Sequence, residues 1–258
     1  MQKGNCSLCG IFCDLTFEHV PPRSAFNKKT RYKAIPYEQV LKTDNILDAK
    51  FKGKIEQGGL GHYSLCSNCN SFLGLKYVNA YSAYSNSFIE FAKKEQFNYF
   101  EFTMHDFEAA KVLKQITSMF ISLNNWQFSE ANPEMREYVL NPENQDLPNK
   151  FRIFSYLKTE GDLRNSRISA IGDLKTSKTI VGTEIAFPPL GHLMTIDFEG
   201  TLPYHFELTN FKNYSINELV SVDFKIYRLP TYLPFLLDYR QKEEIEKTIE
   251  ESNRMRPT

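Results

Sequence analysis

The sequence predicts an α+β fold with a small cysteine-bearing N-terminal module, a helical middle and a β-rich C-terminal part. Apolar residues recur at helical spacing between residues 71 and 94, and again between 106 and 123. After Pro148 the chain changes to short β-prone runs that are separated by Gly, Asn and Pro turns. Helical and strand patterns therefore lie in different parts of the chain, which is typical of α+β proteins.

The order of elements follows from these patterns. A short strand over 15–20 is ended by Pro21-Pro22, because proline cannot continue a β-ladder. The helix over 106–123 takes Asp106 as its N-cap, and Pro133 opens a short helix over 133–140. The remaining expected elements are strands at 97–104, 151–158, 166–171, 179–187, 192–198, 203–209 and 221–228, and a closing acidic helix over 238–252. We expect two domains, 1–95 and 96–258, with a possible further boundary near 148.

Composition limits the class of protein. The 258 residues are 41% hydrophobic and 24% charged, which is ordinary for a globular protein. No apolar stretch approaches the roughly 18–20 residues of a membrane span, and the N-terminus lacks the apolar segment of a signal peptide. We therefore expect a cytoplasmic protein without a membrane partner. In a reducing compartment, cysteines are more often metal ligands or catalytic groups than disulfides.

A net charge of zero conceals an uneven distribution. Residues 1–94 hold 13 Lys and Arg against 7 Asp and Glu, whereas residues 95–258 hold 18 against 24. The basic excess concentrates between residues 23 and 54, where the basic residues are Arg23, Lys28, Lys29, Arg31, Lys33, Lys42, Lys50, Lys52 and Lys54. This run predicts either a basic face for phosphate groups or a solvated Lys-rich loop.

Two C-x-x-C pairs, Cys6/Cys9 and Cys66/Cys69, predict a structural zinc site. Each pair can place both sulfurs on one metal from a tight turn, and two such turns complete a tetrahedral Cys₄ site. A redox role could account for one pair but not for both. Cys13 is interpreted as a small buried residue beside the first turn. A Cys₄ site has no open position for water, so any chemistry needs other residues.

Candidate chemical residues lie directly beside both pairs. Glu18 and His19 fall on the strand that follows the first pair, and Asn70 follows the second pair at the start of a helix. Because zinc would tie this strand to this helix, we expect Glu18, His19 and Asn70 to converge. Each also has a simpler interpretation: an acidic-His pair on a strand is often structural, and Asn in this position is often a helix cap.

The combined pattern resembles the zinc-bound branch of the HNH (ββα-metal, His-Me finger) nuclease superfamily. The chain gives Cys-Ser-Leu-Cys, then Glu-His-Val-Pro-Pro, then Leu-Cys-Ser-Asn-Cys-Asn. The approach to the second pair, Gly58 to Cys66, is also similar to bacterial members of that branch. The resemblance covers about residues 3–95 and implies a treble-clef-like ββα module for that part.

The resemblance implies a role for each matched residue. His19 would be the general base that activates water. Glu18 and Asn70 would be oxygen ligands to one divalent cation, Mg²⁺ or another. The expected substrate is DNA, and its phosphates would contact the basic residues Arg23, Lys28, Lys29, Arg31 and Lys33.

The sequence departs from the family pattern in three places. Glu18 stands where Asp is commoner, and Asn70 stands where the last His of the pattern is commoner. The middle Asn, which orients the catalytic His, has no clear counterpart, since Gly61 occupies its approximate place. The residues that could replace it are Asn45, His62 and Asn68.

Three functional hypotheses follow. The first is a metal-dependent endonuclease, and the second is a catalytically inactive zinc-knuckle module that binds nucleic acid. The third is a structural zinc staple in a protein-interaction protein, which scattering of the basic residues over several faces would support. The C-terminal part shows no nucleotide-binding or nucleophile motif, and its acidic balance favours a homodimer or a protein partner there.

Overall fold

The computed structural model describes residues 2–35, 39, 42–43, 51–94, 96–173 and 178–255. Within these residues the strands are β1 (Gln2–Asn5), β2 (Phe12–His19), β3 (Arg31–Ala34), β4 (Lys54–Gln57), β5 (Gly61–Cys66), β6 (Tyr99–Phe107), β7 (Phe151–Leu157), β8 (Arg164–Asp173), β9 (Lys178–Phe187), β10 (Leu190–Ile196), β11 (Phe206–Glu207) and β12 (Val220–Tyr227). The α-helices are α1 (Ser67–Lys76), α2 (Val78–Ser87), α3 (Ile89–Ala92), α4 (Ala109–Asn124), α5 (Trp126–Ala131), α6 (Pro133–Leu140) and α7 (Lys242–Met255). The mixture of helix and sheet confirms the α+β class.

The N-terminal sheet has the order β1-β2-β5, and both pairings are antiparallel. The first cysteine pair lies in the turn between β1 and β2. β5 ends at Cys66, and α1 begins at the next residue. The strand expected over 15–20 extends instead from Phe12 to His19, and it ends before Pro21-Pro22 as expected. Two antiparallel strands, β2 and β5, thus lead directly into a helix.

The segment between β2 and β5 contains a hairpin that the sequence did not predict. β3 and β4 pair antiparallel, with Arg31 opposite Gln57 and Ala34 opposite Lys54. Most of the chain between these strands, including Lys50 and the candidate Asn45, lies outside the described residues. β3 alternates polar and apolar residues, and Tyr32 packs against the main core, but each strand has only four residues and β4 is mostly polar and exposed, so the pattern is too short to predict a strand.

The helical middle differs in detail from the expectation. The single helix expected between 71 and 94 is three helices, α1 to α3, and the first begins at Ser67. The prediction of Asp106 as an N-cap was wrong. β6 continues to Phe107, which pairs with Val220 of β12, and Asp106 has a positive φ of 53°. Pairing with a strand that is distant in sequence thus overrides the local capping preference.

The C-terminal part is built on a five-stranded antiparallel sheet with the order β11-β7-β10-β9-β8. Helix α4 is the centre of the molecule, because every residue in it except Lys111 is buried. Asn124, at the end of α4, donates to Thr183 Oγ1 at 3.0 Å and accepts from the backbone N–H of Ile168 at 2.6 Å. The strand expected over 203–209 is only the two residues of β11.

One cluster of buried apolar side chains extends from Cys6 to Ile226 and joins the N-terminal and C-terminal parts. A buried hydrogen-bond chain crosses the same boundary. Tyr81 of α2 contacts His192 Nε2 at 3.0 Å, and Ser155 of β7 contacts His192 Nδ1 at 2.7 Å. Burial lowers the pKa of His192 to about 3, so this imidazole is neutral in the folded protein. The domain boundaries near 95 and 148 remain predictions.

The segment before α7 packs onto the C-terminal sheet. Tyr239 donates to Glu184 Oε1 at 2.6 Å, and Tyr156 donates to the same oxygen at 2.7 Å. Arg164 forms a buried ion pair with Glu184 at 2.7 Å and also donates to the backbone oxygen of Leu233. These contacts make the residues around Tyr239 part of the packed structure. Among the described residues, no helix combines the length and the apolar character that crossing a membrane requires.

Candidate metal centre and adjoining site

The four cysteines predicted to bind a metal lie together. The sulfur atoms of Cys6, Cys9, Cys66 and Cys69 are all within 4.8 Å of one another, and Cys9 Sγ lies 3.8 Å from Cys66 Sγ. Sulfurs that bind a tetrahedral zinc at about 2.3 Å are about 3.8 Å apart. The cluster could therefore hold a metal ion such as zinc. Cys13 is half-buried and is not part of it.

Backbone N–H groups point at the sulfur atoms. The N–H of Cys66 donates to Cys6 Sγ at 3.2 Å, and the N–H of Cys69 donates to Cys66 Sγ at 3.4 Å. Hydrogen bonds from the Cys69 thiol and from the backbone lower the pKa of Cys6 to about 4. The hydrogen bond with Cys6 and burial raise the pKa of Cys69 far above its ordinary value. One thiolate forms readily here, whereas four need the positive charge of a metal.

The first cysteine turn packs against helices α5 and α6. Gly10 has φ +82°, and a Cβ built on it would lie 2.9 Å from the Trp126 ring and 3.2 Å from the Arg136 guanidinium. Arg136 in turn lies over the Trp126 ring at 5.0 Å. Trp126 is the only tryptophan in the chain. Its indole therefore reports on the position of this cysteine turn.

The cysteine cluster joins β2 to the start of α1, where Asn70 lies. Asn70 Nδ2 donates to Thr16 Oγ1 at 3.0 Å, and Thr16 Oγ1 donates to the backbone oxygen of Leu65 at 2.9 Å. The cap of α1 is the Cys66 sulfur, so Asn70 is free of the capping role. Asn70 and the strand that carries the Glu-His pair are thus in direct contact, although 53 residues lie between Thr16 and Asn70.

Glu18 is buried on the same face of β2 as Thr16. Its side chain is only 7% exposed, and burial raises its pKa to about 7. Among the described residues, no side-chain hydrogen bond to its carboxyl group is present. Glu18 lies directly opposite His62 of β5, whose buried Nε2 also has no partner among those residues. Burial lowers the pKa of His62 to about 4, so its ring is a neutral neighbour.

His19 is the last residue of β2 and is half-buried. Its Nε2 lies 3.1 Å from the backbone oxygen of Gly58, and its ring packs edge-on against Phe17 with a centroid distance of 5.0 Å. A Cβ built on Gly59 would lie 2.5 Å from the His19 ring and 2.4 Å from the backbone oxygen of Asn27. Glycine at 59 therefore allows the loop to approach His19 closely.

Asn27 holds this loop in place, a role that the sequence did not predict. The residue is fully buried. Its Nδ2 donates to the backbone oxygens of Pro21 and Leu60, and its Oδ1 accepts from the N–H of Leu60, each at 2.7 Å. These bonds join the segment after His19, at Pro21, to the segment before β5, at Leu60. No local pattern marks Asn27, because its partner Leu60 is 33 residues away.

The structure also shows where the residues considered for orienting His19 lie. Gly61 lies opposite His19, and a Cβ built on it would lie 2.1 Å from the backbone oxygen of Glu18. That position is therefore closed to an Asn side chain. Asn68 is exposed on α1. His62 of β5 lies opposite Glu18 of β2 and not opposite His19. Asn27 is a described residue whose side chain joins the segment after His19 to the loop opposite His19, together with the backbone bonds from Val20 to Leu60 and from Gly59 to Thr30.

The basic residues proposed to contact phosphate are all exposed. They are Arg23, Lys28, Lys29, Arg31 and Lys33. Arg23 opens the turn Arg23–Asn27 directly after Pro22, and the N–H of Gly59 donates to the backbone oxygen of Thr30 at 3.2 Å. These contacts place the segment around residues 28–31 beside the loop at His19. Lys33 donates to the backbone oxygen of Phe51 and so supports the hairpin.

Comparison of this chain with protein-family models, with curated proteins and with solved structures found no match.

Proposed function

We propose that the chain is a metal-dependent endonuclease of the HNH type that hydrolyses phosphodiester bonds in DNA, with His19 as the general base. The observation that carries the proposal is the contact between β2 and α1. The Glu18-His19 strand meets the Asn70 helix through the 3.0 Å bond between Asn70 and Thr16, and the four cysteines lie beside this junction. Two antiparallel strands followed by a helix also agree with the ββα arrangement of that superfamily.

The contact of His19 determines which nitrogen can act as a base. A backbone carbonyl only accepts hydrogen bonds, so Nε2 of His19 carries the proton that it donates to Gly58. The lone pair of the neutral ring is then on Nδ1. In the proposed reaction Nδ1 takes a proton from the water that attacks phosphorus. Asn27 acts as a positioning residue, because it fixes the loop to which Gly58 belongs.

The oxygen donors of Glu18 and Asn70 suit a hard cation such as Mg²⁺. Glu18 offers a buried carboxyl that has no hydrogen-bond partner among the described residues, and a bound cation would offset the burial that raises its pKa to about 7. Asn70 uses Nδ2 to contact Thr16, which leaves its amide oxygen available. A bound cation would stabilise negative charge on the scissile phosphate and on the leaving 3′ oxygen.

The deciding experiment measures cleavage of supercoiled plasmid with Mg²⁺, with Mn²⁺ and without added divalent cation. His19→Ala should lower the rate by about 100-fold or more, because loss of a general base has effects of this size. His105→Ala is the matched control, since His105 is exposed on β6 and its side-chain hydrogen bond is with Ser221 Oγ, far along the chain from the candidate site. Equal cleavage by wild type and His19→Ala would reject the proposed base, and cleavage without added cation would reject the proposed metal dependence.

One observation favours an inactive zinc-knuckle module that binds nucleic acid. Side chains alternate along a strand, so Glu18 and His19 point to opposite faces of β2, and Glu18 points to the buried one. A catalytic cation at Glu18 would have to be reached from that side. Binding of DNA by zinc-loaded wild type without cleavage under any of the conditions above would favour this alternative.

A further inference from the structure

Two exposed aromatic rings belong to the segments that adjoin His19. Phe26 is 41% exposed and Tyr63 is 49% exposed. Rings of this size are ordinarily buried, since full burial of a Phe side chain contributes about 1.5–3 kcal/mol. Other aromatic rings among the described residues are equally exposed, so it is the position of these two near the candidate active site that suggests a ligand with flat apolar surfaces.

Phe26 is held outward by its backbone. Its φ is 68°, in the left-handed region that a bulky residue rarely adopts. The flanking residues Ala25 and Asn27 are both buried, so the turn Arg23–Asn27 is anchored on each side of the exposed ring. The backbone oxygen of Asn27 and the ring of His19 both lie against Gly59. Phe26 is therefore adjacent to the His19 loop.

Tyr63 reaches the same site across the β2–β5 pair. It lies opposite Phe17, and the two rings pack edge-on with a centroid distance of 5.4 Å. Phe17 packs in the same manner on His19 at 5.0 Å. Tyr63, Phe17 and His19 thus form a continuous aromatic row on one face of the sheet, and its outer end is the exposed Tyr63.

The charge around these rings indicates the kind of ligand. Exposed Arg23, Lys28 and Lys29 belong to the same segment as Phe26, and exposed Arg31 follows at the start of β3. No acidic residue occurs between Val20 and Pro36. Cations interleaved with exposed aromatic rings match a ligand that alternates phosphates with flat bases.

We propose that the substrate is single-stranded or locally unpaired nucleic acid, and that bases on either side of the scissile phosphate stack on Phe26 and Tyr63. In an intact duplex both faces of every base are covered by its neighbours, so a base can stack on a side chain only where the strand is unpaired. The cations along residues 23–31 would follow the phosphates of the same strand. This inference rests on the proposed function for the position of the scissile phosphate beside His19.

Binding can be measured separately from cleavage by using the His19→Ala protein. The probes are fluorescein-labelled oligo(dT), oligo(U) and a hairpin duplex of equal charge, with 2-aminopurine at one position of a further single strand. We expect single strands to bind at least about tenfold more tightly than the duplex, with quenching of 2-aminopurine on binding. The two single-stranded probes distinguish DNA from RNA.

Variants test each ring. Phe26→Ala and Tyr63→Leu should each weaken single-strand binding by at least about fivefold, whereas Tyr63→Phe should bind like the parent because it keeps the aromatic face. Tyr204→Ala is the matched control, since Tyr204 is 57% exposed in the C-terminal part. Circular dichroism of each variant confirms that the fold is retained.

The outcomes separate this inference from the proposed function. Preference for the duplex, or unchanged binding by both Phe26→Ala and Tyr63→Leu, would overturn the inference even if wild type cleaves DNA. Ring-dependent binding of single strands by a wild type that never cleaves would support the inference and reject the nuclease. Absence of binding to every probe would overturn both.

Discussion

Replacement of Asn27 by alanine should destabilise the protein and also lower cleavage. The side chain is fully buried and makes three hydrogen bonds of 2.7 Å, to Pro21 and twice to Leu60. Alanine leaves the Pro21 carbonyl and the Leu60 N–H without this partner, and each such group costs about 1–3 kcal/mol when buried. The Leu60 carbonyl keeps its bond from the N–H of Val20 at 2.9 Å. Because the loop can relax partly, we expect the free energy of unfolding to fall by about 2–4 kcal/mol. Urea denaturation followed by circular dichroism measures this change.

The functional part of the prediction concerns positioning. Once Asn27 is lost, the loop that presents the Gly58 oxygen to His19 is no longer fixed, so cleavage per folded molecule should fall at least about tenfold. Asn68→Ala is the control, because Asn68 is exposed on α1, and its effect on stability should stay within about 0.5 kcal/mol. A destabilisation of Asn27→Ala below about 1 kcal/mol would refute the structural argument. Unchanged cleavage by the folded fraction would refute the positioning role.

Two further changes test the cysteine cluster and the buried histidine. Cys66→Ser should release the bound metal, lower the melting temperature and shift the fluorescence of Trp126, which contacts Gly10 of the first cysteine turn. Cys13→Ser is the control and should change none of these. Retention of the metal by Cys66→Ser in metal analysis, together with an unchanged melting curve, would contradict the Cys₄ assignment. Burial lowers the pKa of His192 to about 3 in the folded protein, whereas the pKa of an unfolded His is about 6.5. Below pH 6.5 the unfolded chain therefore binds a proton that the folded protein does not bind. The free energy of unfolding should fall by about 3 kcal/mol as the pH is lowered to 4.5. Urea titrations across this range should show a smaller slope for His192→Gln, and parallel curves would count against the buried neutral ring.

The sequence alone determined the features that depend on local spacing. Two C-x-x-C pairs predicted the four-cysteine cluster, since each pair spans one tight turn and only the meeting of the two turns involves distant residues. Helical periodicity located α4, and Pro133 at a first turn located α6 with the bounds that the structure shows. The strand after the first cysteine pair was recognised because Pro21-Pro22 gives its end.

Only the tertiary structure decided which residues support or surround His19. Asn27 acquires its role from Leu60, Glu18 is buried through pairing with β5, and Asp106 lies in β6 because Val220 pairs with the next residue. Each of these facts depends on a partner more than 30 residues away in the chain. Local propensity and spacing carry no information about such partners, because the free energy that fixes them comes from packing and hydrogen bonds formed only when distant segments meet.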